Sequence, residues 1–374
     1  MAPRADIEDR QDWRWQLRHR LRRAADFSGS LTLSAEEAAG FEAAGTAAPV
    51  AVTPYYRGLM HPTDPRCPIR QQALPHPEDA ARASGESEDP LGERGRSPVP
   101  GVIHRYADRV VLLVATSCAV RCRHCNRRAR APEEFLGTEA ARQTALTWLR
   151  SQPGVREVIL SGGDPLTLGD EALDRWLGAL RRVPHVETLR VHSRAPVTCP
   201  MRITPDLVRI LRSHGPLYLL TQFNHPREVT VEATTACGRL ADGGVPMANQ
   251  SVLLRGVNSD AGILTALSRA LLRIRVRPYY LFQLDPVVGA QRFKVPVDAG
   301  VDLVARLRGR VSGLGIPTYV LDAPGGYGKV ALLPEGIVSR RPGTVRVRTF
   351  SGAEVDYPDT GDADLSCPPI GGSP

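Results

Sequence analysis

Lysine is nearly absent from this chain of 374 residues. Of its 48 lysine and arginine residues only two are lysines, Lys294 and Lys329, so any reaction that requires a lysine amine has two candidates. Lys329 ends the segment Pro324-Gly-Gly-Tyr-Gly-Lys, where glycines let the backbone turn sharply and approach a ligand. Lys294 sits in Arg-Phe-Lys-Val-Pro beside another cation, which indicates a plain surface position.

Aromatic residues are also scarce, at 5% of the chain, and no block of five or six like charges occurs. The net charge of +8 is spread along the sequence as arginine. A nucleic-acid-binding surface combines clustered basic residues with aromatic stacking platforms, so these two absences argue against one. The most basic run, from Arg14 to Arg23, predicts an amphipathic helix with Trp15, Leu17 and Leu21 near one face.

Long apolar runs and a signal-peptide core are missing as well. A membrane-spanning helix needs roughly 18 consecutive apolar residues, and no run approaches that length. The chain has seven cysteines, an odd number, which argues for reduced thiols. We therefore expect a cytoplasmic protein with no membrane partner. Four scattered cysteines are expected to be packing or surface residues: Cys67, Cys199, Cys237 and Cys367.

The remaining three cysteines form the most informative motif. Cys118, Cys122 and Cys125 are spaced four and three residues apart, directly after an apolar run that ends at Thr116. A cubane iron–sulfur cluster normally takes four cysteine ligands, so three on one loop leave one iron free to bind a non-protein group. The alternative is a zinc site with His124 as fourth ligand, but that residue lies between two of the thiols, too cramped to join them easily. The spacing favours the cluster.

Apolar, strand-like runs alternate with helical patterns along the chain. Strands are predicted at Val110–Ala115, Val155–Leu160, Val186–Val191, Leu217–Leu220, Val245–Leu254, Val276–Leu281 and Pro317–Leu321. Helices are predicted between most of them, for example at Glu139–Leu149, Asp170–Arg181, Pro205–His214 and Gly262–Arg273. This alternation predicts an α/β fold with parallel strands and right-handed crossovers. By itself it does not separate an open sheet from a barrel.

Candidate motifs follow the ends of these strands. The cysteine motif follows the first strand, Ser161-Gly-Gly-Asp164 the second, and Gln222-Phe-Asn-His-Pro226 the fourth. In barrels and in open α/β sheets, reactive groups collect at the carboxyl ends of the strands. We therefore expect these loops to face one cavity.

Together the motifs resemble the radical S-adenosylmethionine enzymes, and within them the amino-acid 2,3-aminomutases of the lysine 2,3-aminomutase family. The resemblance covers about residues 10 to 357 and includes Thr53-Pro-Tyr-Tyr56, Ser97–Tyr106, Cys122–Arg128, Ser161-Gly-Gly-Asp164, Phe223-Asn-His-Pro226, Asn249–Asn258 and Asp322–Lys329. It implies a partial (β/α)6 TIM-like barrel over residues 101–335. A helical N-terminal arm and wrapping segment would occupy 1–100, with residues 74–101 as an ordered wrap. A C-terminal extension and tail would occupy 336–374 and fray from about Pro358.

The resemblance also implies three cofactors: a [4Fe-4S] cluster on the three cysteines, S-adenosylmethionine and pyridoxal 5′-phosphate. S-adenosylmethionine would chelate the free iron and be cleaved to an adenosyl radical that takes hydrogen from the substrate. Pyridoxal phosphate would carry the amino group as it moves from carbon 2 to carbon 3. Lys329 corresponds to the lysine that holds pyridoxal phosphate as an imine, so it is the expected catalytic residue.

Other residues match positions that contact the cofactors in the family. Ser161-Gly-Gly-Asp164 corresponds to the motif that holds the methionyl amine of S-adenosylmethionine, whose charge a carboxylate can accept. Two arginines match the segment near pyridoxal phosphate, and a glutamine matches a polar residue near the cofactors; taken singly, each is more often a structural residue. Besides Lys329, the residues expected to bind cofactors are Gly162, Gly163, Asp164, Arg105, Arg109 and Gln250.

Three residues are expected to hold the substrate. Arg127 corresponds to the arginine that pairs with the substrate carboxylate, a task suited to a bidentate guanidinium. Asp285 and Asp322 match two aspartates that hold the distal ammonium in lysine-selective relatives. Buried carboxylates need a cation, so the pair predicts a free basic amino acid. Lysine is favoured on overall resemblance, and arginine is the alternative. A lysine side chain on a partner protein fits less well, because Arg127 and the N-terminal arm suit a small free amino acid.

Three residues depart from the family pattern: Gln222 stands in place of histidine, Asn126 in place of threonine, and Tyr327 within a run of glycines. They leave contacts with cofactors and substrate open. An iron–sulfur enzyme that modifies RNA or a protein is the alternative from another class, but the appended nucleic-acid module that it would need is not visible. The expected partners are a small amino-acid substrate and an electron donor, without nucleic acid, and the resemblance implies a homo-oligomer.

Overall fold

A nine-stranded sheet organises the computed structural model, which describes residues 10–44, 49–333 and 335–359. The strands follow one another in chain order, with β2 to β8 parallel and the edge strands β1 and β9 antiparallel to their neighbours. They are β1 (Val102–Tyr106), β2 (Arg109–Ala115), β3 (Glu157–Gly162), β4 (Thr188–His192), β5 (Leu217–Thr221), β6 (Met247–Leu253), β7 (Arg277–Gln283), β8 (Thr318–Ala323) and β9 (Gly328–Ala331).

Helices cross between successive parallel strands. The described helices are α1 (Trp13–Arg18), α2 (Ala35–Ala44), α3 (Pro54–Gly58), α4 (Pro68–Ala73), α5 (Glu139–Arg150), α6 (Asp170–Arg181), α7 (Ala195–Thr198), α8 (Pro205–Ser213), α9 (Val231–Asp242), α10 (Ala261–Arg273) and α11 (Val297–Ala305). The first and last strands approach each other, because the backbone amide of Lys329 donates to the hydroxyl of Tyr106 (3.0 Å). The sheet is therefore a nearly closed barrel, which confirms the predicted fold class.

The crossover helices follow the apolar spacing of the sequence. In α6, Leu173, Leu177 and Leu180 recur at helical spacing, and all three side chains are fully buried. They join the core formed with buried strand residues such as Val158 and Leu160. Each fully buried leucine of this kind contributes about 1.5–3 kcal/mol relative to an exposed one. Continuous burial along β3 is typical of a parallel strand covered on both faces.

The helix predicted over Arg14–Arg23 is shorter than expected. It ends at Arg18, after which Leu21 exchanges two backbone hydrogen bonds with Val52 (2.8 and 3.0 Å). Its buried residues are Trp13 and Gln16 rather than the predicted face. The chain leaves the helical path because backbone pairing with the segment before α3 satisfies the amide and carbonyl of Leu21, which a longer helix would use internally.

Two segments flank the barrel. Residues 74–101, which we call the wrap, run along it and form a bridge between Ser87 and Val287. Strands β10 (Ile337–Arg341), β11 (Thr344–Arg348) and β12 (Glu354–Pro358) form a separate antiparallel sheet. Most of the tail predicted to fray, and Cys367, lie outside the described residues. Within the described ranges, no helix combines the length and apolarity needed to cross a membrane.

Candidate active site

A cavity of about 590 Å³ lies inside the barrel and is lined by loops at the carboxyl ends of its strands. All thirteen residues predicted for the site line this cavity. They are Arg105, Arg109, Cys118, Cys122, Cys125, Arg127, Gly162, Gly163, Asp164, Gln250, Asp285, Asp322 and Lys329. The structure therefore brings the three thiols and Lys329 to one pocket, as the order of motifs and strands predicted.

The loop that carries the three cysteines is held by the N-terminal arm. The backbone amides on either side of Cys122 donate to the carbonyls of Ala51 and Gln72, both at 2.9 Å. The guanidinium of Arg20 donates to the carbonyl of Cys118 (2.5 Å). These contacts fix the loop on both sides of the thiols, and sequence motifs alone did not reveal them.

The three cysteines are half-buried where they line the cavity, in surroundings that disfavour their thiolate forms. Burial raises the pKa of Cys118, and the neighbouring Asp164 and other thiols raise it further. Burial likewise raises the pKa of Cys125. The sulfur of Cys122 accepts a hydrogen bond from the Nη1 of Arg194 (2.7 Å). Thiolates in such a place need nearby positive charge, and the irons of a cluster supply it. The donor set therefore fits a three-cysteine iron–sulfur cluster.

His124, the candidate fourth ligand of a zinc site, makes a different contact. Its Nε2 accepts a hydrogen bond from the side-chain amide of Gln222 (2.9 Å), and burial lowers its pKa well below the usual range. Its ring packs edge-on against Phe293. In the described part of the chain, no three histidine, cysteine, aspartate or glutamate side chains, the three cysteines included, converge on a single metal-ion position, as zinc would require. A cubane cluster has no such requirement, because each cysteine binds a different iron. The geometry gives no support to the zinc alternative.

The glycines at the end of β3 allow this segment to pack closely against the cysteine loop. Gly162 has a φ of 119°, a conformation that favours glycine. A Cβ on Gly163 would lie 2.4 Å from the carbonyl oxygen of Ser117, and its amide donates to the carbonyl of Ala115 (2.5 Å). Only glycine allows the two loops to approach this closely.

The protein itself fills most of the hydrogen-bond acceptor positions of the Asp164 carboxylate. Its carboxylate accepts from the Leu166 amide (2.9 Å), the Ser193 hydroxyl (2.6 Å) and the Arg194 amide (2.8 Å). Burial raises the pKa of Asp164, and these three hydrogen bonds oppose that rise. A carboxylate has about four acceptor positions, so roughly one remains for a ligand.

Lys329, on β9, also lines the cavity, where it meets groups from β1, β7 and β8. Its ammonium lies 3.2 Å from the carboxylate of Asp322 and 5.3 Å from the centre of the Phe282 ring. Asp322 also forms a close ion pair with Arg105. The hydroxyl of Tyr106 accepts from the Arg105 guanidinium (3.3 Å), so a compact network surrounds the lysine.

The remaining two cofactor candidates lie nearby on the barrel. The guanidinium of Arg109 stacks over the ring of Tyr106 at 3.8 Å and pairs with Asp108 at 2.8 Å. Gln250 lies on β6, where its side chain lines the cavity. Two arginines thus border the same pocket as Lys329, an arrangement suited to a phosphate group.

Asp285 is a buried carboxylate with an unfilled acceptor. Its Oδ2 accepts from the amide of Asn126 (2.8 Å), whereas its Oδ1 has no hydrogen-bond partner among the described residues. Burial and the charge of Asp322 raise the pKa of Asp285 to about 7. A cation placed beside it would satisfy both the charge and the free oxygen. Asn126, one of the departures from the family pattern, thus contacts a predicted substrate residue.

Arg127 is engaged by a residue that the sequence did not single out. Its Nε and Nη2 donate to Glu93 of the wrap (2.9 and 2.7 Å), and its Nη1 donates to Ser161 (3.0 Å). Burial raises the pKa of Glu93, but Arg127 and Arg130 outweigh it and lower that pKa to about 2. Glu93 and Ser161 together take three of the five N–H donors of the Arg127 guanidinium, so two remain for a ligand.

Comparison with known proteins decides the family. A family model described as Lysine-2,3-aminomutase matches residues 304–367, and that of the Radical SAM superfamily matches residues 112–260. The chain is 44% identical over 350 residues to L-lysine 2,3-aminomutase of Clostridium subterminale, covering 93% of this chain and 84% of that protein. The chain belongs to the lysine 2,3-aminomutase family. It is therefore an isomerase of the radical S-adenosylmethionine superfamily.

Other relatives of this aminomutase-family chain vary in their named activity. It is 41% identical to L-lysine 2,3-aminomutase of Bacillus subtilis over 93% of this chain and 74% of that one. It is also 38% identical to glutamate 2,3-aminomutase of Clostridioides difficile, over 96% of this chain and 85% of that protein. Among solved structures, Streptococcus suis SuiB bound to S-adenosylmethionine overlays with a TM-score of 0.43 and 12% identity, covering 59% of this chain and 52% of that one.

Sequence reasoning missed several residues of this aminomutase-family site. Glu93 lies in a charged, proline-rich stretch that resembles a linker, so its pairing with Arg127 had no local signal. Arg194 is one of many arginines, and only its position in the fold brings it to Cys122. Tyr106 could have been found, because it stands between Arg105 and Arg109 in a segment that already resembled the family.

Proposed function

We propose that this protein is a radical S-adenosylmethionine and pyridoxal phosphate-dependent aminomutase that moves the 2-amino group of free lysine to carbon 3. One observation carries the proposal: three thiols, a lysine with flanking arginines, and a carboxylate with a free oxygen all line one cavity. The reaction also needs a one-electron donor.

The thiol end would hold the cluster and S-adenosylmethionine. Cys118, Cys122 and Cys125 would each supply one thiolate to iron. The remaining acceptor position of Asp164 would receive the methionyl ammonium. When bound, the cluster with S-adenosylmethionine supplies hydrogen abstraction, and pyridoxal phosphate supplies a π system across which the amino group migrates.

The lysine end would hold pyridoxal phosphate. Lys329 would form the covalent link through its amine, and Asp322 would hold the proton that this amine gives up or regains, since the two groups are 3.2 Å apart. Arg105 and Arg109 would bind the phosphate, which their charge and position suit. Phe282, whose ring lies near the lysine ammonium, would exclude water from this part of the site.

The substrate would span Arg127 and Asp285. The two N–H donors of Arg127 that Glu93 and Ser161 leave unused would bind the substrate carboxylate while Glu93 keeps the guanidinium in place. Asp285 would bind the distal ammonium, which would fill its free Oδ1 and lower its pKa from about 7. A substrate with an acidic side chain would instead add a third carboxylate beside Asp285 and Asp322.

Arginine is the second candidate substrate. Asp322 already accepts a guanidinium, that of Arg105, so the pocket is chemically able to receive one. Reconstituted enzyme should be incubated with dithionite, S-adenosylmethionine and either lysine, arginine or glutamate, and the 3-amino isomer measured. Lysine should turn over fastest. Turnover of glutamate alone would overturn the assignment of the aspartate pair.

The cofactor assignment has a direct test. Protein loaded with pyridoxal phosphate and reduced with borohydride should carry a pyridoxyl group on the peptide that contains Lys329. The matched control is the only other lysine, Lys294, which is exposed. Lys294→Arg should retain the modification, and Lys329→Arg should lose it. Modification that survives Lys329→Arg would overturn the assigned role.

A further inference from the structure

Arg194, in the segment after β4, contacts one of the cluster thiols from a buried position. Its side chain is 8% exposed, and its Nη1 lies 2.7 Å from the sulfur of Cys122. The rest of the guanidinium is held by groups from three other segments. These contacts are Nε to the carbonyl of Gln222 (3.0 Å), and Nη2 to Gln72 (2.5 Å), Glu228 (2.7 Å) and the hydroxyl of Tyr56 (3.4 Å).

The positive charge of Arg194 is secured by a buried carboxylate. Glu228 has no exposed surface, and it accepts the hydroxyl of Tyr56 (2.7 Å) and the amides of Asn224 (2.6 Å) and His225 (3.0 Å) besides Arg194. An arginine guanidinium is not deprotonated in proteins, and the ion pair with Glu228 (2.7 Å) compensates its burial. A charged guanidinium therefore stays fixed beside the sulfur.

The same residue also touches the other half of the predicted cofactor site. The backbone amide of Arg194 donates to the carboxylate of Asp164 (2.8 Å), while its side chain donates to Cys122. Asp164 lies after β3 and Cys122 after β2, so one residue from a third loop links the two.

We propose that Arg194 is a positioning residue that sets the reduction potential of the cluster through Cys122. The inference rests on the proposed function, since it requires a cluster at the three cysteines. One electron enters the cluster from a low-potential one-electron donor; no bond of Arg194 breaks and its protons stay in place. The reduced cluster carries one more negative charge, so a hydrogen-bonded cation stabilises the reduced form more than the oxidised form.

Glu228 opposes this effect, which gives the proposal a signed test. Removing the guanidinium with Arg194→Gln should make the cluster harder to reduce. Neutralising its counter-ion with Glu228→Gln should make the cluster easier to reduce, because the amide still accepts hydrogen bonds but no longer offsets the cation. If Arg194 and Glu228 only supported the fold, the two substitutions would shift the midpoint of cluster reduction in the same direction.

The measurement is the midpoint of cluster reduction, followed by electron paramagnetic resonance in a mediated titration. For Arg194→Gln, we expect the equilibrium constant for reduction to fall by about tenfold, equivalent to about 59 mV for a one-electron couple. Arg194→Lys should shift the midpoint less, because it keeps the charge but loses the fixed fork. Arg202→Gln is the matched control: Arg202 is also buried, and its contacts are with Leu166, Leu168 and Asp170 rather than a thiol.

Failure of the inference and failure of the proposed function give different results. Iron content and the cluster signal of the unmodified protein test the proposed function first. If the cluster is present but Arg194→Gln and Glu228→Gln leave its midpoint unchanged or move it in one direction, the inference is overturned. Should the variants fail to hold a cluster, pulsed resonance on unmodified protein grown with arginine labelled with ¹⁵N only in the guanidinium decides, because the backbone nitrogens of Arg121 and Arg123 beside Cys122 then stay silent. A guanidinium coupling to the reduced cluster supports the contact, and its absence refutes it.

Discussion

At the thiol end of the cavity, all three cysteines come from eight consecutive residues, Cys118 to Cys125, whereas at the lysine end Lys329 meets side chains from β1, β7 and β8. The charges differ as well. A buried arginine faces the thiols, while a buried carboxylate with a free oxygen lies at the other end. The first end is suited to hold anionic sulfur, and the second is suited to receive a cation. The two ends should therefore fail independently when altered.

The largest expected effect is that a substitution at either end of the cavity removes the cofactor of that end and leaves the other cofactor bound. Cys122→Ala should abolish the cluster signal and all turnover, yet retain borohydride-dependent labelling of Lys329 by pyridoxal phosphate. Lys329→Ala should abolish labelling and turnover but retain iron. Iron content and peptide mass analysis check this. Loss of both cofactors from either variant would show that the ends do not assemble separately.

The next largest effect concerns the contact between the wrap and Arg127. Glu93→Gln leaves Arg127 and Arg130 without their buried counter-ion, so the free energy of unfolding at pH 7 should fall by about 3–5 kcal/mol. The pKa of Glu93 is lowered to about 2, so its contribution is present above the unfolded value near 4.3 and declines as the pH falls towards 2. Urea unfolding at pH 7 and pH 4 measures this.

Glu134→Gln is the control for that prediction. Glu134 pairs with Arg94 and Arg130 from a more exposed position, with 21% of its side chain accessible, so its loss should cost less than 1 kcal/mol. An equal loss of stability in the two variants would contradict the special role of Glu93. So would a loss in Glu93→Gln that does not change with pH.

A smaller effect with the opposite sign is expected at Asp285. Its pKa is raised to about 7, so the folded chain binds a proton that the unfolded chain has lost, and stability falls as the pH rises from about 4 to 7. Asp285→Asn removes this cost. At pH 8 and without substrate, the free energy of unfolding of Asp285→Asn should exceed that of the unmodified protein by at most about 4 kcal/mol. At pH 4 the two free energies should be equal.

The same change should weaken the binding of a basic substrate. Thermal unfolding at both pH values, together with KM for lysine, measures the two effects. Asp322→Asn is the comparison, because it leaves Arg105 and Lys329 without a shared anion and should lower stability instead. A loss of stability in both variants at pH 8 would contradict the unfilled acceptor at Asp285.

The smallest effect is expected outside the cavity. Arg346 and Asp356 form an ion pair (2.7 Å) on the C-terminal sheet, and both side chains are more than one-third exposed. Arg346→Ala should leave the free energy of unfolding almost unchanged and both cofactors in place, because solvent screens an exposed ion pair. A loss of either cofactor in this variant would show that the sheet supports the barrel site.

Many of the strands and helices could be predicted from the local spacing of apolar residues. The parallel strands and the helices α5, α6, α8 and α10 lie within a few residues of their predicted positions, because long apolar runs and helical spacing persist when such elements are buried. Helix α9 was not among those predicted. Its sequence contains two threonines and a glycine, and its buried face uses small residues such as Ala233 and Ala236.

The edges of the barrel had weaker signals. Strand β1 has only two buried residues, at its start, and β9 has one, so neither resembles a core strand. The sheet β10 to β12 is largely exposed and charged. Pairing with a neighbouring strand forms these elements, and that pairing is a long-range property.

The sequence predicted the three thiols, Lys329, Asp285 and Asp322 as site residues, through cysteine spacing, the rarity of lysine and the resemblance to the family, and all of them line one cavity. It could not say which charges those groups would meet. Glu93 reaches Arg127 across 34 residues and Arg194 reaches Cys122 across 72. Burial and proximity set the proton affinity of Asp285 and the environment of Cys122, and both arise only when distant loops pack at one end of the barrel.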